Sequence, residues 1–192
     1  TPPYLSLGYR NRAAFALTPE GKLGYRQAAS HEVVAVEGCL LLEPRLEELY
    51  AALDVAWPEL TGVELRAGAD DALILFEAAG QEAPELELNL PASCAVRLAG
   101  PIEAVKPLIG EPWVMHEVLG QPYRLSAESF FQVNTVGAAA LVEIVAAYAD
   151  PRPGDVLLDA YCGVGLFALA LADLAGAVIG VEASPSACED FA

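Results

Sequence analysis

The 192-residue sequence predicts two architectures in series. Residues 1–125 read as an α+β domain with a mainly antiparallel sheet, and residues 126–192 as the first β-α-β unit of a doubly wound α/β domain. Three observations carry this. Up to residue 125 the apolar runs are short and punctuated by Gly, Pro and Asp; the texture turns Ala-rich after Ser126; and two strands of the buried parallel type then flank a glycine turn and a helix.

The elements follow in order. Tyr9–Leu17 partly alternates as a strand, Thr18-Pro-Glu-Gly21 supplies turn residues, and Leu23–Gln27 returns as the second arm of a hairpin. Val33–Glu37 is a short β-branched stretch. From Pro44 to Trp57, Leu46, Leu49, Tyr50 and Leu53 keep helical spacing, and Pro58 ends that helix. Strand-like runs follow at Val63–Arg66, Ala72–Ala78, Ala95–Leu98, Trp113–Leu119 and Tyr123–Leu125. Thr135–Tyr148 is a helix with Leu141, Ile144, Val145 and Tyr148 on one stripe. Asp155–Asp159, a helix over about 166–175, and the strand Ala177–Val181 complete the β-α-β unit.

At 55% hydrophobic and 19% charged residues the chain can bury a substantial core. It has no run of about 18 apolar residues that could span a membrane. The chain does not begin with Met and stops at Ala192 directly after a strand and turn, so the α/β domain is expected to be truncated. Four cysteines, at 39, 94, 162 and 188, lack paired spacing, which fits a reducing cytoplasm rather than a secreted disulfide framework. The net charge of −17 argues against a polyanionic partner for the chain as a whole. Residues 1–30 reverse that balance, holding Arg10, Arg12, Lys22 and Arg26 against Glu20 alone. A basic edge on an acidic body suits either a local phosphate contact or an ordinary solvated hairpin.

The sharpest motif is Asp159-Ala-Tyr-Cys-Gly163-Val-Gly165-Leu-Phe, with Glu182 closing the next strand. Glycines allow a tight turn and close ligand approach to a helix N-terminus, and an acidic residue at the second strand end can accept from a ribose diol. Gly163 to Ala168 also satisfies the loose dinucleotide pattern, so a nicotinamide-dependent oxidoreductase is one reading, and a plain strand-turn-helix another. Asp159, four residues before the first glycine, favours a third. Doubly wound methyltransferases resemble this arrangement, and a cationic sulfonium tolerates a nearby carboxylate that would repel a pyrophosphate.

Further segments point to a family. Gly8-Tyr-Arg-Asn-Arg-Ala-Ala-Phe15 with Gly24-Tyr-Arg26, Val36–Pro44, Ser129-Phe-Phe-Gln-Val-Asn134 and Gly180-Val-Glu182 resemble, in order and spacing, RNA 5-methyluridine (uracil-5-) methyltransferases of the iron–sulfur-containing 23S rRNA and tRNA type. The resemblance implies S-adenosylmethionine as cofactor and an RNA substrate, rRNA or tRNA, with the target uracil flipped out of its stack. It places Gln132 at the cofactor and base site, Tyr161 beside the cofactor and Glu182 on its ribose, joining Asp159, Gly163 and Gly165. Leu166 stands where the family often has Asn or Thr. Arg10, Arg12 and Arg26 are the candidates for RNA backbone contact, and Phe130 and Phe131 for the base site, with at least one of the two in the core.

Cys39 matches the last of four cysteines that hold a [4Fe-4S] cluster in many members, the other three lying upstream of Thr1; by its own setting it reads as a buried thiol. The family reaction uses a cysteine thiolate to attack carbon 6 of uracil and a carboxylate base to remove the carbon 5 proton. Both residues are expected downstream, so no catalytic residue is assigned in this chain, and a non-catalytic RNA-binding relic stays open. Cys162 reads as a packed strand-end thiol, Cys94 and Cys188 as structural, and His31 and His116 as surface or structural residues.

Overall fold

A computed structural model describes residues 6–100 and 105–191; Thr1–Leu5, residues 101–104 and Ala192 of the two expected domains lie outside it. By contacts it divides into two compact units, which meet in sequence between Val114 and Met115.

In the unit over residues 6–114, a seven-stranded sheet is built from β1 (Arg12–Leu17), β2 (Leu23–Arg26), β3 (Val33–Ala35), β4 (Leu60–Ala67), β5 (Ala72–Ala78), β6 (Ser93–Leu98) and β7 (Val105–Ile109). The strand order is β3-β2-β1-β4-β5-β6-β7, antiparallel throughout except for the β5–β6 pair. Because side chains alternate across a strand, Ala13, Phe15, Val63, Leu65, Ile74, Phe76, Cys94 and Val96 fall on one face. With Leu46, Leu49 and Tyr50 of α1 (Pro44–Ala52) they form one buried core. Phe15 packs on Tyr25 and Tyr50 with ring centroids 5.0 and 4.8 Å apart.

The helix expected over 44–57 stops at Ala52. Beyond it Leu53, Val55 and Trp57 point inward while Asp54 and Ala56 are exposed, a period of two that an extended chain satisfies and a helix does not. The same device recurs at Leu86, Leu88 and Leu90, which lie against the core between exposed Glu85, Glu87 and Asn89.

The unit over residues 115–191 holds most of the hairpin of β8 (Trp113–Val118) and β9 (Gln121–Ser126), then α2 (Thr135–Ala149), β10 (Val156–Ala160), α3 (Leu166–Ala170), a 3-10 turn over Ala172–Leu174, β11 (Ala177–Val181) and α4 (Pro185–Phe191). Strands β10 and β11 pair in parallel with Asp159 opposite Gly180. The division between units falls earlier than the 125/126 boundary expected from texture. The reason is that β9 bonds forward: the Tyr123 hydroxyl donates to the Leu166 carbonyl at 3.0 Å, and Ser126 bonds to Asp190.

Asn134 caps α2, its Oδ1 accepting from the Gly137 amide at 2.9 Å. The α2 stripe differs from expectation: Ala138 and Val142 are buried, whereas Leu141, Ile144 and Tyr148 are exposed. The α3 helix is shorter than the expected 166–175, its last turn tightening into the 3-10 segment. Among the described residues no helix is long and apolar enough to cross a membrane.

Candidate functional site

The glycine turn of the second unit winds through three left-handed residues at alternate positions: Tyr161 at φ +65°, Gly163 at +57° and Gly165 at +83°. For Tyr161 this conformation is strained, and two bonds hold it. The Tyr161 and Cys162 amides both donate to the Val181 carbonyl, at 2.7 and 3.1 Å, tying the turn to the end of β11. The Tyr161 ring is left 90% exposed.

The two glycines differ. A Cβ on Gly163 would face open space, whereas one on Gly165 would lie within 2.5 Å of two Phe191 ring carbons. Gly180, across the β10–β11 pair, likewise makes room for Cys162 Sγ and Phe191. Thus Gly163 keeps one side of the turn clear, while Gly165 and Gly180 admit the protein's own aromatic ring.

Two carboxylates organise the turn. Glu182 reaches back from the end of β11: its Oε2 accepts from the Gly163 amide at 2.8 Å, and its Oε1 from the Ala183 and Ser184 amides at 2.7 and 2.8 Å. These bonds, led by that from Ser184, hold its carboxyl below the ordinary value. Asp159 Oδ2 accepts from the Ala168 amide at 3.1 Å. Burial pushes its carboxyl up, and the Ala168 amide opposes the shift.

A cavity of about 210 Å³ gathers Gln132, Asp159, Tyr161, Gly163 and Leu166, with Phe130 beside them. Five of the seven residues expected at the cofactor therefore share one cavity. Glu182 adjoins it through Gly163, and Gly165 packs on Phe191 instead. The aromatic pair divides: Phe131 is 4% exposed and packs on His116 and Tyr123 at 5.4 and 5.5 Å, while Phe130 is 67% exposed. His116 is buried, with Nε2 3.0 Å from Thr135 Oγ1; His31 is exposed.

The carboxylates suit a cationic, diol-bearing ligand. Glu182 retains acceptor capacity beyond its three backbone bonds, and one of the first-turn α3 amides that a pyrophosphate would seek, that of Ala168, already bonds to Asp159. Burial, then Asp159 and Glu182, push the Cys162 thiol up, favouring the protonated form. Cys94 is buried and pushed up to about 11. Cys188 is exposed, its thiol 3.5 Å from the Glu182 carbonyl.

Among the described residues no group of three or more His, Cys, Asp and Glu could hold a metal ion, and Cys39, the single cluster ligand expected from this chain, has no companion ligands among them. Cys39 instead lies half-buried beside Tyr25, whose hydroxyl is pushed up by burial and then by this thiol.

The three arginines of the first unit have different surroundings. Arg12 is paired with Glu64 at 2.6 and 2.7 Å. Arg10 lies near the Tyr25 hydroxyl, and its Nε is buried without a hydrogen-bond partner. Arg26 is exposed beside a shallow floor of Ala14, Ala16 and Gly62.

Residues 115–190 match the family described as tRNA (Uracil-5-)-methyltransferase. An uncharacterized RNA methyltransferase of Streptomyces avermitilis is 35% identical over 95% of this chain and 43% of its own length. The 23S rRNA (uracil(1939)-C(5))-methyltransferase RlmD of Yersinia enterocolitica is 33% identical over 91% of this chain and 43% of its own length. The chain thus spans less than half the length of these curated relatives. In fold it is similar to the Pyrococcus abyssi tRNA (uracil-54, C5)-methyltransferase solved with S-adenosyl-L-homocysteine, with a TM-score of 0.72 at 22% identity, covering 96% of this chain and 51% of that one. With the glycine turn and its two carboxylates in place, residues 115–190 carry the match to the RNA uracil-5-methyltransferase family, and the relatives of the whole chain are RNA methyltransferases.

Proposed function

We propose that the intact protein transfers a methyl group from S-adenosylmethionine to carbon 5 of a uridine in RNA. The observation that carries this is the cavity shared by Gln132, Asp159, Tyr161 and Gly163, with Glu182 anchored at its edge. The cofactor supplies an electrophilic methyl on a cationic sulfur. Around it Glu182 accepts from the ribose diol, Tyr161 offers its exposed ring as a stacking face, and Asp159 supplies negative charge matched to the sulfonium. Gln132 presents an amide to the cofactor and the target base, and exposed Phe130 gives that base an apolar neighbour.

The thiolate that attacks carbon 6 and the base that removes the carbon 5 proton are not among these residues. Burial and flanking carboxylates keep Cys162 protonated, which supports a nucleophile elsewhere in the protein. RNA is the proposed substrate, rRNA or tRNA, with Arg10 and Arg26 as backbone contacts. The proposed setting is the cytoplasm, supported by four free cysteines. No step is assigned to an iron–sulfur cluster.

The test pairs binding with product analysis. The intact protein is titrated with S-adenosylhomocysteine and with a reduced nicotinamide dinucleotide, then incubated with labelled S-adenosylmethionine and uridine-containing RNA. Selective binding of S-adenosylhomocysteine and label recovered as 5-methyluridine are expected. Preference for the nicotinamide overturns the reading, and absence of 5-methyluridine leaves the chain an RNA-binding relic.

A further inference from the structure

The carboxylate of Asp190, on α4, is buried and surrounded by donors from one stretch of chain. Its Oδ2 accepts from the Ser126 amide at 2.7 Å and from the Ser129 hydroxyl; its Oδ1 accepts from the Ser126 hydroxyl at 2.7 Å and lies 3.3 Å from Arg124 Nη1. All these partners belong to β9 or to the segment that leads from it to Gln132. That segment has no helix or strand of its own between Ser126 and Thr135.

The next residue on α4 faces the other half of the site. The Phe191 ring fills the space left by Gly165 and Gly180, so it packs under the glycine turn. Two consecutive residues of one short helix therefore grip the two parts of the cavity: Asp190 the Gln132 segment, Phe191 the turn that carries Tyr161 and Gly163.

From this geometry we infer that Asp190 is a positioning residue of the cofactor site, holding Ser126–Gln132 so that the Gln132 amide stays beside the glycine turn. The inference rests on the proposed reading of that cavity. Asp190 lines none of it and acts through Ser126 and Ser129. A buried carboxylate with several donors suits the task because such a network is rigid when complete and fails when one member is lost.

The experiment uses Asp190→Asn, Ser129→Ala and Gln132→Ala in the intact protein, read by amide hydrogen exchange over residues 127–133 without cofactor and by the dissociation constant for S-adenosylhomocysteine. Asp190→Asn is expected to speed exchange in that segment about tenfold and to weaken S-adenosylhomocysteine about tenfold, with Ser129→Ala giving a smaller change of the same pattern. Combined with Gln132→Ala, Asp190→Asn is expected to add no further weakening, because it acts through Gln132. Additive losses, or exchange unchanged in both Asp190→Asn and Ser129→Ala, overturn the inference. Should Asp190→Asn not fold, Ser129→Ala removes one donor and decides alone. If Gln132→Ala weakens binding and Asp190→Asn does not, only the positioning role fails. If Gln132→Ala itself has no effect, the placement of Gln132 at the cofactor falls, and this inference falls with it.

Discussion

Asp159 Oδ2 takes the Ala168 amide at 3.1 Å, in the first turn of a helix whose own cap position is Gly165. Glycine has no side chain with which to cap, so the preceding strand lends its terminal carboxylate to the helix. The residue is thus tied to both fold and ligand, and the two can be separated. Burial raises its carboxyl, so the ionised form costs stability: the contribution is favourable below the ordinary value of 3.8 and is lost as pH rises through the raised one. Asp159→Asn keeps an oxygen for Ala168 and removes the buried charge. Its local stability, read by hydrogen exchange of residues 156–170, should be unchanged or higher at pH 7. Its affinity for S-adenosylmethionine should fall about tenfold through loss of a charge-assisted contact. Loss of stability without loss of affinity would make Asp159 purely a cap.

Glu182 carries the opposite sign. Three backbone amides lower its carboxyl, so its tie to the turn is present in full above the ordinary value of 4.5 and is lost as pH falls through the lowered value. S-adenosylhomocysteine affinity should hold from pH 7 down to about 5 and collapse below the ordinary carboxylate range. Glu182→Ala should weaken it at least tenfold at pH 7 and remove the acid limb of the profile, as measured by calorimetry. An acid limb unchanged in the variant assigns that limb to another group.

Gly163 and Gly165 predict a contrast that their identical letters conceal. Both have positive φ, but only Gly165 has an aromatic ring where a Cβ would go. Gly163→Ala should cost about 1 kcal/mol of local stability from backbone strain alone, yet weaken cofactor binding by placing a methyl on the open side. Gly165→Ala should cost about 3 kcal/mol, combining that strain with displacement of Phe191. Equal stability losses by hydrogen exchange over residues 156–191 would contradict this division.

Local pattern made much of this legible. The β11 strand at Ala177–Val181, the helix start at Thr135 and the turn from Asp159 to Gly165 depend on neighbours within a few residues, and each lies where sequence spacing puts it. What pattern misses depends on register and distance. Arg12 reads as a free cation until β1 pairs with β4, bringing Arg12 to Glu64, 52 positions away. Likewise α4 is too short to have a periodicity, and its tie from Asp190 to Ser129 spans 61 positions. The end of α1 escapes the pattern for a different reason. Leu53 satisfies both a helical stripe and an extended alternation, and only the inward placing of Val55 and Trp57 decides between them.

The Arg12–Glu64 pair yields the last prediction. Its two bonds are part-buried and cross between β1 and β4 within the sheet, with Arg66 Nη2 3.6 Å from Glu64. A guanidinium held this way has its charge matched within the protein and contributes little to a distant phosphate. Arg26 is exposed and lines a shallow floor that also has Glu77 at its edge. In a salt titration of RNA binding by the intact protein, Arg26→Ala should therefore weaken binding severalfold and reduce the slope of log affinity against log salt by about 0.7–1, with stability unchanged. Arg12→Ala should leave the slope unchanged and lower stability by about 1–2 kcal/mol, because Glu64 loses its closer guanidinium while Arg66 lies 3.6 Å away. The reverse pattern, a slope change in Arg12→Ala alone, would mean that the pair opens when RNA binds and that its role is recognition rather than folding.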